Sequence, residues 1–274
     1  MTEGHDEAGF RLLTEKIARE RGFGCASYKE KCLRRRIAVR MRARGVHSYA
    51  DYARLLDGDA PEFDKLIDAL TINVTKLFRN REAWDAIAAR VLPEVFAATA
   101  GPVRAWSAGC SRGQEPYSLA VLFHRYLEQA GRLPELSRVQ VLATDIDQRC
   151  LAAAAQGGFD EEDFAEVPPE VRRRYFAPDA PYRVDPAAAA LVRFTSHDLL
   201  RDPPPIRGGF QLVMCRNVLI YFDRDSQERC FSTFFDALAP GGFLVLGKVE
   251  TLLGEARRRF VAVDARERIF RKPA

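Results

Sequence analysis

Polar side chains that could bind a nucleotide-like ligand follow several short apolar runs of the sequence. Asp145 ends one such run, and a carboxylate there can accept hydrogen bonds from both hydroxyls of a ribose. Asp198 could accept a hydrogen bond from the amino group of an adenine, with Leu199 against the face of the base. Asn217 follows a further run, and Tyr221 comes four residues later, so both could face one crevice. These residue types predict a site for ribose and adenine groups.

A glycine-containing segment precedes these residues. Gly109 and Gly113 lie between an apolar run at 103–106 and a helical pattern that reaches Leu127. Glycine permits tight turns and close approach of a ligand to the backbone. The Gly-x-Gly-x-x-Gly spacing that binds a dinucleotide pyrophosphate does not occur at this position. The segment indicates a strand–loop–helix binding element and disfavours a nicotinamide cofactor.

Each of these features also has a purely structural interpretation. Alone, the glycine segment could be a tight turn between a strand and a helix, and Asp198 could belong to a solvated turn. Asp145 could cap the helix that begins near Gln148, although Asp147 can fill that role. Only the combination of the features favours a binding site.

The elements that would position these residues have an alternating α/β pattern. Short apolar runs are separated by segments of helix length, which predicts a sheet with helices between its strands. The runs are apolar throughout and do not alternate with polar residues, as expected for parallel strands covered on both faces. They comprise 103–106, 139–143, 210–214 and 243–246.

Residues 9–90 have a different pattern, which predicts a bundle of helices. Ser48 is a candidate N-cap for a helix over 49–56, and Pro61 stands near the start of a helix that ends about Leu70. A further helix is predicted over 28–44. It would bury a stripe of residues spaced by four and keep its charged residues on the other faces. The stripe is made of Leu33, Ile37 and Met41.

Composition excludes several classes of protein. The 274 residues are 47% hydrophobic and carry a formal net charge of +4, which is too small to mark a nucleic-acid binder. The six cysteines and four histidines are dispersed, so we expect neither a disulfide framework nor a metal. No apolar stretch approaches the ~20 residues of a membrane helix, and the N-terminal segment is polar. We therefore expect a soluble, cytoplasmic protein without membrane insertion.

The ordered set of motifs resembles the CheR family of chemotaxis receptor glutamate methyltransferases. The resemblance extends from about Tyr28 to Lys272. Each motif is weak alone, whereas their order along the chain is specific. The motifs are Tyr28–Arg44 with its triple arginine, Thr71–Arg79, Gly109–Ser118, Thr144–Asp147, His197–Leu200 and Cys215–Phe222.

The resemblance implies an α/β fold in two domains. An N-terminal helical domain, expected over residues 1–90, would take part in receptor recognition and in the cofactor site. A Rossmann-like methyltransferase domain, expected over 91–274, would bind S-adenosylmethionine. It would carry a small β-subdomain within 159–193, a segment rich in Pro, Asp and Ala.

The family's site residues carry over to matching positions of this chain. The resemblance implies that Glu115 and Asp145 bind the methionine and ribose parts of S-adenosylmethionine. Arg79 and Tyr221 would be catalytic, the first holding the incoming carboxylate and the second lining the site of methyl transfer. The residues implied around the cofactor are Asn73, Thr75, Arg79, Glu115, Asp145, Asp198, Leu199, Arg216 and Asn217.

Three positions depart from the family pattern. The family usually has Glu where this chain has Gln114, Asn where it has Asp198, and Phe where it has Leu77. Of these, only Asp198 is an implied cofactor contact. Aspartate keeps an oxygen acceptor but lacks the amide donor, so the contacts to adenine would be rearranged or weakened.

The expected partner is the cytoplasmic domain of a methyl-accepting chemotaxis receptor, bound by a monomer of this chain. Basic residues of the helix over 28–44 could dock on an acidic receptor surface, although such a run is also typical of a solvated helix. Alternative functions are a methyltransferase for RNA or a small molecule, and a cofactor-binding regulatory module without turnover. We expect no nucleic acid as partner. The basic residues are Arg34, Arg35, Arg36, Arg40, Arg42 and Arg44.

Overall fold

The chain forms two compact units, and each has its own apolar core. The computed structural model describes residues 3–71 and 75–274. Among the helices of these residues, none is both long and apolar enough to span a membrane. The first unit comprises Met1–Asn73 with Tyr221–Ser226, and the second comprises Val74–Ile220 with Gln227–Ala274.

This division differs from the expected boundary at residue 90. The segment that follows residue 74 contributes to the core of the second unit, where Trp84, Ile87 and Leu92 are buried. Its helical pattern resembles that of the first unit, which is why the sequence grouped them. Because these large side chains are buried in the core of the second unit, the segment belongs to that unit.

Four α-helices and a 3₁₀ turn (Cys25–Ser27) make up most of the described part of the first unit outside 221–226. Leu33, Ile37 and Met41 are buried on one helix face, as predicted. The side chain of Ser48 accepts a hydrogen bond from the Asp51 N–H at 3.1 Å, which confirms the predicted N-cap. The helices are α1 (Glu3–Arg21), α2 (Glu30–Ala43), α3 (Tyr49–Gly58) and α4 (Ala60–Thr71).

A central seven-stranded sheet organises the second unit. Its strands are β1 (Val103–Ala108), β2 (Val139–Asp145), β5 (Val192–Ser196), β6 (Phe210–Cys215), β7 (Leu238–Leu246), β8 (Val261–Asp264) and β9 (Ile269–Arg271). The spatial order is β5-β2-β1-β6-β7-β9-β8. The first five strands are parallel, and β9 pairs antiparallel with both β7 and β8. The predicted α/β fold is confirmed, and an antiparallel pair, β9 and β8, extends the sheet beyond β7.

Helices connect the strands of this sheet. Strands β1 and β6 are nearly fully buried, as their continuous apolar runs predicted, whereas β5, at the end of the strand order, is largely exposed. The helix Arg224–Ala237 begins with residues of the first unit and continues in the second. The helices are α5 (Arg81–Ala86), a π-helical turn (Ile87–Val91), α6 (Leu92–Ala98), α7 (Gln114–Gln129), α8 (Gln148–Ala155), α11 (Arg224–Ala237) and α12 (Ala256–Arg259).

A small substructure interrupts the connection from β2 to β5, and we call residues 156–191 the excursion. Phe164 and Phe176 of the excursion pack in the core of the second unit, with ring centroids 4.9 Å apart. It contains the strand-like piece that the sequence predicted near Tyr182. Its elements are the antiparallel strands β3 (Gly158–Phe159) and β4 (Tyr182–Arg183), with helices α9 (Pro169–Tyr175) and α10 (Pro186–Ala189).

Candidate functional site

The loops that follow β1, β2 and β6 meet at the carboxyl ends of these strands, because the strands are parallel neighbours. We call this end of the sheet the sheet edge. The β1 loop contacts the end of β2 directly. Ser111 donates its N–H to Asp145 Oδ2 at 2.8 Å, and the N–H groups of Gly109 and Cys110 both donate to the Thr144 carbonyl. The glycine segment and Asp145, singled out from the sequence, therefore form one structure.

Glycine is required at position 109 of this loop. Gly109 has φ = 79°, a left-handed conformation that residues with a Cβ seldom adopt. A Cβ here would also lie 2.6 Å from Cγ2 of Val218, in the loop after β6. The β1 and β6 loops thus approach each other more closely than any side chain at position 109 would allow.

Asp145 and Asp147 have separate roles. Asp147 caps α8 by accepting hydrogen bonds from the N–H groups of Arg149 and Cys150. Asp145 instead accepts from the Asp147 N–H at 2.9 Å through Oδ1. Burial raises the pKa of Asp145, and the backbone hydrogen bonds oppose that rise. Each carboxylate oxygen keeps acceptor capacity for a further donor, so the group fits a ribose diol.

Glu115 lies in the first turn of α7, beside the end of β1. Its Oε1 accepts a hydrogen bond from the Ser107 hydroxyl at 2.8 Å. Burial raises the pKa of Glu115 to about 7, although the positive charge of Arg216 opposes the rise. A carboxyl group that titrates near neutrality in this position is suited to bind a cationic amino group.

Arg216, at the end of β6, is buried with 8% of its surface exposed. Its Nη2 donates to the Arg79 carbonyl at 3.0 Å and to Asn80 Oδ1 at 3.2 Å. Burial lowers the pKa of Arg216. Within residues 3–71 and 75–274, its buried Nε has no hydrogen-bond acceptor. This orphaned donor fits a polar or anionic ligand group, and together with Glu115 and Asp145 it matches the chemistry of S-adenosylmethionine.

The segment around Arg79 has an unusual backbone conformation, and its backbone groups form hydrogen bonds. Phe78 and Asn80, on either side of Arg79, both have left-handed φ angles, 52° and 57°. The Arg79 carbonyl also accepts the indole N–H of Trp84 at 3.0 Å. Thr75 is partly buried at the start of this segment. The predicted contact Asn73 lies outside the described residues.

Asp198 and Leu199 form a tight turn after β5. Asp198 Oδ1 accepts the Leu200 N–H at 2.8 Å, and Oδ2 lies 3.6 Å from Nε of Arg201. Leu199 is buried, and its carbonyl accepts a hydrogen bond from the Cys230 thiol. Part of the acceptor capacity of Asp198 therefore serves the turn. Its predicted contact with adenine stays a prediction.

Asn217 and Tyr221 belong to different units. Asn217 has φ = 62° at the end of β6, in the second unit. Tyr221 ends a 3₁₀ turn and belongs to the first unit, where its carbonyl accepts the Lys29 N–H at 2.8 Å. The Arg36 guanidinium lies 5.3 Å from the centroid of the Tyr221 ring. The role of Tyr221 in methyl transfer stays a prediction.

Glu250, after β7, was missed by sequence reasoning. Its buried carboxylate accepts backbone N–H groups of Asn217 at 2.9 Å, Leu219 at 2.8 Å, Ile220 at 3.4 Å and Gly247 at 2.6 Å. Burial raises the pKa of Glu250, and these four donors oppose the rise. The carboxylate thus shapes the loop after β6. Its position beyond a strand, like that of Asp145, was the available signal.

Gln114, the first departure from the family pattern, has a structural explanation. Its Nε2 donates to Oδ1 of Asp163, in the excursion, at 2.9 Å. A glutamate at position 114 would place two carboxylates against each other, whereas the amide supplies a donor. Gln114 and Asp163 therefore complement each other.

Most of the α2 arginines have partners within the first unit. Arg40 and Glu62 form a two-pronged ion pair at 3.0 and 2.6 Å, and Arg36 donates to the Ala69 carbonyl at 2.7 Å. Arg35 and Arg42 have exposed side chains. The other pairs are Arg34 with Glu30 at 2.6 Å and with Glu7 at 2.5 Å, and Arg44 with Asp59 at 2.8 Å.

Known proteins match both units of the chain. A family model described as the all-alpha domain of CheR methyltransferase matches residues 8–71, and one described as the CheR methyltransferase SAM-binding domain matches 73–269. Among curated relatives, the chemotaxis protein methyltransferase of Listeria monocytogenes is 34% identical over 91% of this chain and 92% of its own length. That of Escherichia coli is 30% identical over 93% and 87%.

These matches agree with the geometry of the sheet edge. Glu115, Asp145 and the orphaned Nε of Arg216 lie in the part of the chain that the SAM-binding model covers, and the helices α1 to α4 lie largely in the part that the all-alpha model covers. The cofactor is therefore S-adenosylmethionine, and the chain belongs to the CheR methyltransferase family.

Proposed function

We propose that this enzyme methylates glutamate side chains on the cytoplasmic helices of chemotaxis receptors, converting γ-carboxylates to methyl esters for sensory adaptation. One observation supports the proposal most strongly. Nη2 of Arg216, at the sheet edge, donates a hydrogen bond to the Arg79 carbonyl at 3.0 Å. This contact would keep Arg79 beside the bound methyl donor, where its guanidinium is suited to hold a carboxylate acceptor.

The residues at this edge would bind the cofactor in parts. Glu115 would pair with the amino group and Asp145 with the ribose hydroxyls. Asp198 and Leu199 would contact the adenine. The remaining contacts would come from Asn73, Thr75, Arg79, Arg216 and Asn217. When bound, S-adenosylmethionine supplies an electrophilic methyl group on a sulfonium.

The protein has little acid–base work to do in this reaction. A glutamate side chain with an ordinary pKa of about 4.3 is ionised at neutral pH, so its carboxylate is already a nucleophile. Arg79 would hold that carboxylate through two parallel hydrogen bonds, and Tyr221 would orient it. Alignment of this kind can lower a barrier by roughly 7 to 11 kcal/mol. Residues that fix geometry should therefore dominate catalysis.

Receptor docking would use the exposed face of α2. Lys31, Arg35 and Arg42 are exposed there, together with Val39, which is 51% exposed. These positions are spaced by three or four residues and share one side of the helix. Arg34, Arg36, Arg40 and Arg44 would contribute less, because they form the pairs described above. An acidic receptor helix would suit this basic face.

The proposed setting is the cytoplasm, where receptor methylation regions lie, with the protein acting as a monomer and without nucleic acid. Another acceptor, either RNA or a small molecule, is the principal alternative. A regulatory module that binds S-adenosylmethionine without turnover is the second.

The test is transfer of labelled methyl groups from S-adenosylmethionine to a purified receptor cytoplasmic fragment. We expect label that mild base releases, as from a glutamyl ester, and that disappears when the receptor glutamates are replaced by alanine. Label that resists base would indicate a different acceptor chemistry. Cofactor binding without transfer to any receptor fragment would favour the regulatory module.

A further inference from the structure

The backbone around Arg79 has an unusual shape. Two residues with a Cβ, Phe78 and Asn80, are left-handed at φ = 52° and 57°, on either side of Arg79. Such conformations persist only where the surroundings fix them, and they concentrate at functional sites. The contacts that impose this backbone conformation therefore fix the position of the Arg79 Cα, from which its side chain extends.

Three backbone N–H groups of the segment are bound by other parts of the second unit. Phe78 donates to the hydroxyl of Ser118, on α7, at 2.8 Å. Leu77 donates to the carbonyl of Asp163 at 3.1 Å. Asn80 donates to Oε2 of Glu166 at 2.7 Å. Two of the three acceptors thus come from the excursion.

Two of these anchors, the Ser118 hydroxyl and the Glu166 carboxylate, are side-chain groups that a substitution can remove, and Glu166 is the one that lies in the excursion. Its acceptor is a carboxylate oxygen, which binds an N–H more strongly than a neutral oxygen does. The contact lies one residue beyond Arg79, at a left-handed position. The Asp163 anchor is a main-chain carbonyl, which no substitution at 163 would delete.

Asn80 also connects Glu166 to Arg216, at the sheet edge. Its side-chain Oδ1 accepts a hydrogen bond from Arg216 Nη2 at 3.2 Å, while its N–H is held by Glu166. The same Nη2 binds the Arg79 carbonyl. Glu166, Asn80 and Arg216 therefore form a continuous chain of contacts around the backbone of Arg79.

We propose that Glu166 is a positioning residue for Arg79, through which the excursion contributes to turnover. The inference rests on the proposed function, in which Arg79 holds the acceptor carboxylate. Glu166 itself would touch neither substrate nor cofactor. Its loss would free the Asn80 N–H and let the left-handed turn relax, which would displace Arg79 from the acceptor.

The experiment compares Glu166→Ala and Glu166→Gln with Glu162→Ala, an exposed glutamate of the same excursion. For Glu166→Ala we expect kcat to fall about 10-fold or more, since small misplacements reduce rates strongly. The Kd for S-adenosylmethionine should rise by a clearly smaller factor than kcat falls, because Arg79 is only one of several proposed cofactor contacts. Glutamine keeps an oxygen acceptor for the Asn80 N–H and should restore most of kcat. Glu162→Ala should match wild type.

Hydrogen exchange of the peptide over 75–82 provides a readout independent of activity. We expect faster exchange in Glu166→Ala than in Glu162→Ala, with slow exchange restored in Glu166→Gln. Unchanged exchange, or equal losses of kcat and cofactor affinity, would overturn the positioning role. Failure of the wild type to methylate any receptor fragment would contradict the proposed function instead, and the exchange comparison would still judge how Glu166 holds the segment.

Discussion

Two glutamates, the buried Glu62 of the first unit and the partly buried Glu115 of the second, have pKa values that are shifted in opposite directions. Burial alone would raise the pKa of Glu62, in the helical unit, but hydrogen bonds and charge from Arg40 and Tyr52 lower it overall. Burial raises the pKa of Glu115, at the sheet edge, to about 7, and the positive charge of Arg216 and the hydrogen bond from Ser107 offset that rise only in part. Glu62 is thus paired with Arg40 and Tyr52, whereas burial outweighs the hydrogen bond and the positive charges that act on Glu115.

The difference indicates which carboxylate serves folding and which serves binding. Removing one partner of a buried ion pair destabilises the fold strongly, because the other charge is left unpaired. A buried carboxyl group with a raised pKa in a cleft is typical of a functional site, where a ligand completes the partners. The same contrast separates the paired arginines of α2 from the exposed Arg35 and Arg42.

The largest expected effect is that of Glu62→Ala on stability. The substitution leaves Arg40 without its two-pronged partner and Tyr52 without the acceptor at 2.7 Å. We expect the free energy of unfolding of the helical unit to fall by on the order of 3 kcal/mol. Urea denaturation would measure it. Glu15→Ala, at an exposed position of α1, is the control and should change it by less than about 0.5 kcal/mol. An equal loss of unfolding free energy in Glu62→Ala and Glu15→Ala would contradict the structural role of Glu62.

The second effect concerns Glu115 and pH. Between its ordinary pKa of 4.5 and the folded value of about 7, the folded state holds a proton that the unfolded state has lost. Stability without ligand should therefore fall as pH rises through this window. Cofactor affinity should change in the opposite direction, because the ionised carboxylate binds the cationic amino group.

Calorimetric titration with S-adenosylmethionine from pH 5.5 to 8 would test this coupling. We expect the affinity to weaken below about pH 7 in the wild type. Glu115→Gln should weaken binding roughly 10- to 100-fold at pH 8 and flatten the pH profile. Glu128→Gln, at the far end of the same helix, should behave like wild type. A wild-type profile retained in Glu115→Gln would remove Glu115 from the amino-group contact.

The smallest expected effect is on receptor docking. Replacing Arg35 and Arg42 together by glutamate should raise the KM for a receptor fragment by about 3- to 10-fold at low salt and by less at high salt. The Kd for S-adenosylmethionine should not change. Arg257→Glu, on the exposed face of α12, should leave KM near the wild-type value. Equal effects of both changes would indicate general charge repulsion and not a specific basic face.

Local patterns predicted most of the framework. The parallel strands, the α2 stripe and the caps at Ser48 and Asp147 depend on residues close in the chain, so periodicity and side-chain type identify them. Asp145 and the glycine loop were found for the same reason, since both follow strands. The site at the sheet edge was predictable because parallel strands end at a common edge.

The contacts that shape the site could not be read from local patterns. Glu250 binds a loop 33 residues earlier, Gln114 meets Asp163 49 residues later, and Glu166 holds an N–H 86 residues before it. Local sequence marks Glu250 only by its position after a strand, and it identifies none of the partners of these three side chains. Their partners are backbone groups or single side chains that come near only when the sheet and the excursion have packed.

The sequence by itself determined the α/β framework, the helical N-terminal region and the family, because periodicity, glycine and motif order are properties of the chain. Tertiary structure alone decided that residues 74–90 join the sheet domain and that Arg40 pairs while Arg35 stays exposed. It also decided that Glu115 titrates near neutrality. Burial and long-range pairing depend on what surrounds a side chain in space, and local sequence does not encode those surroundings.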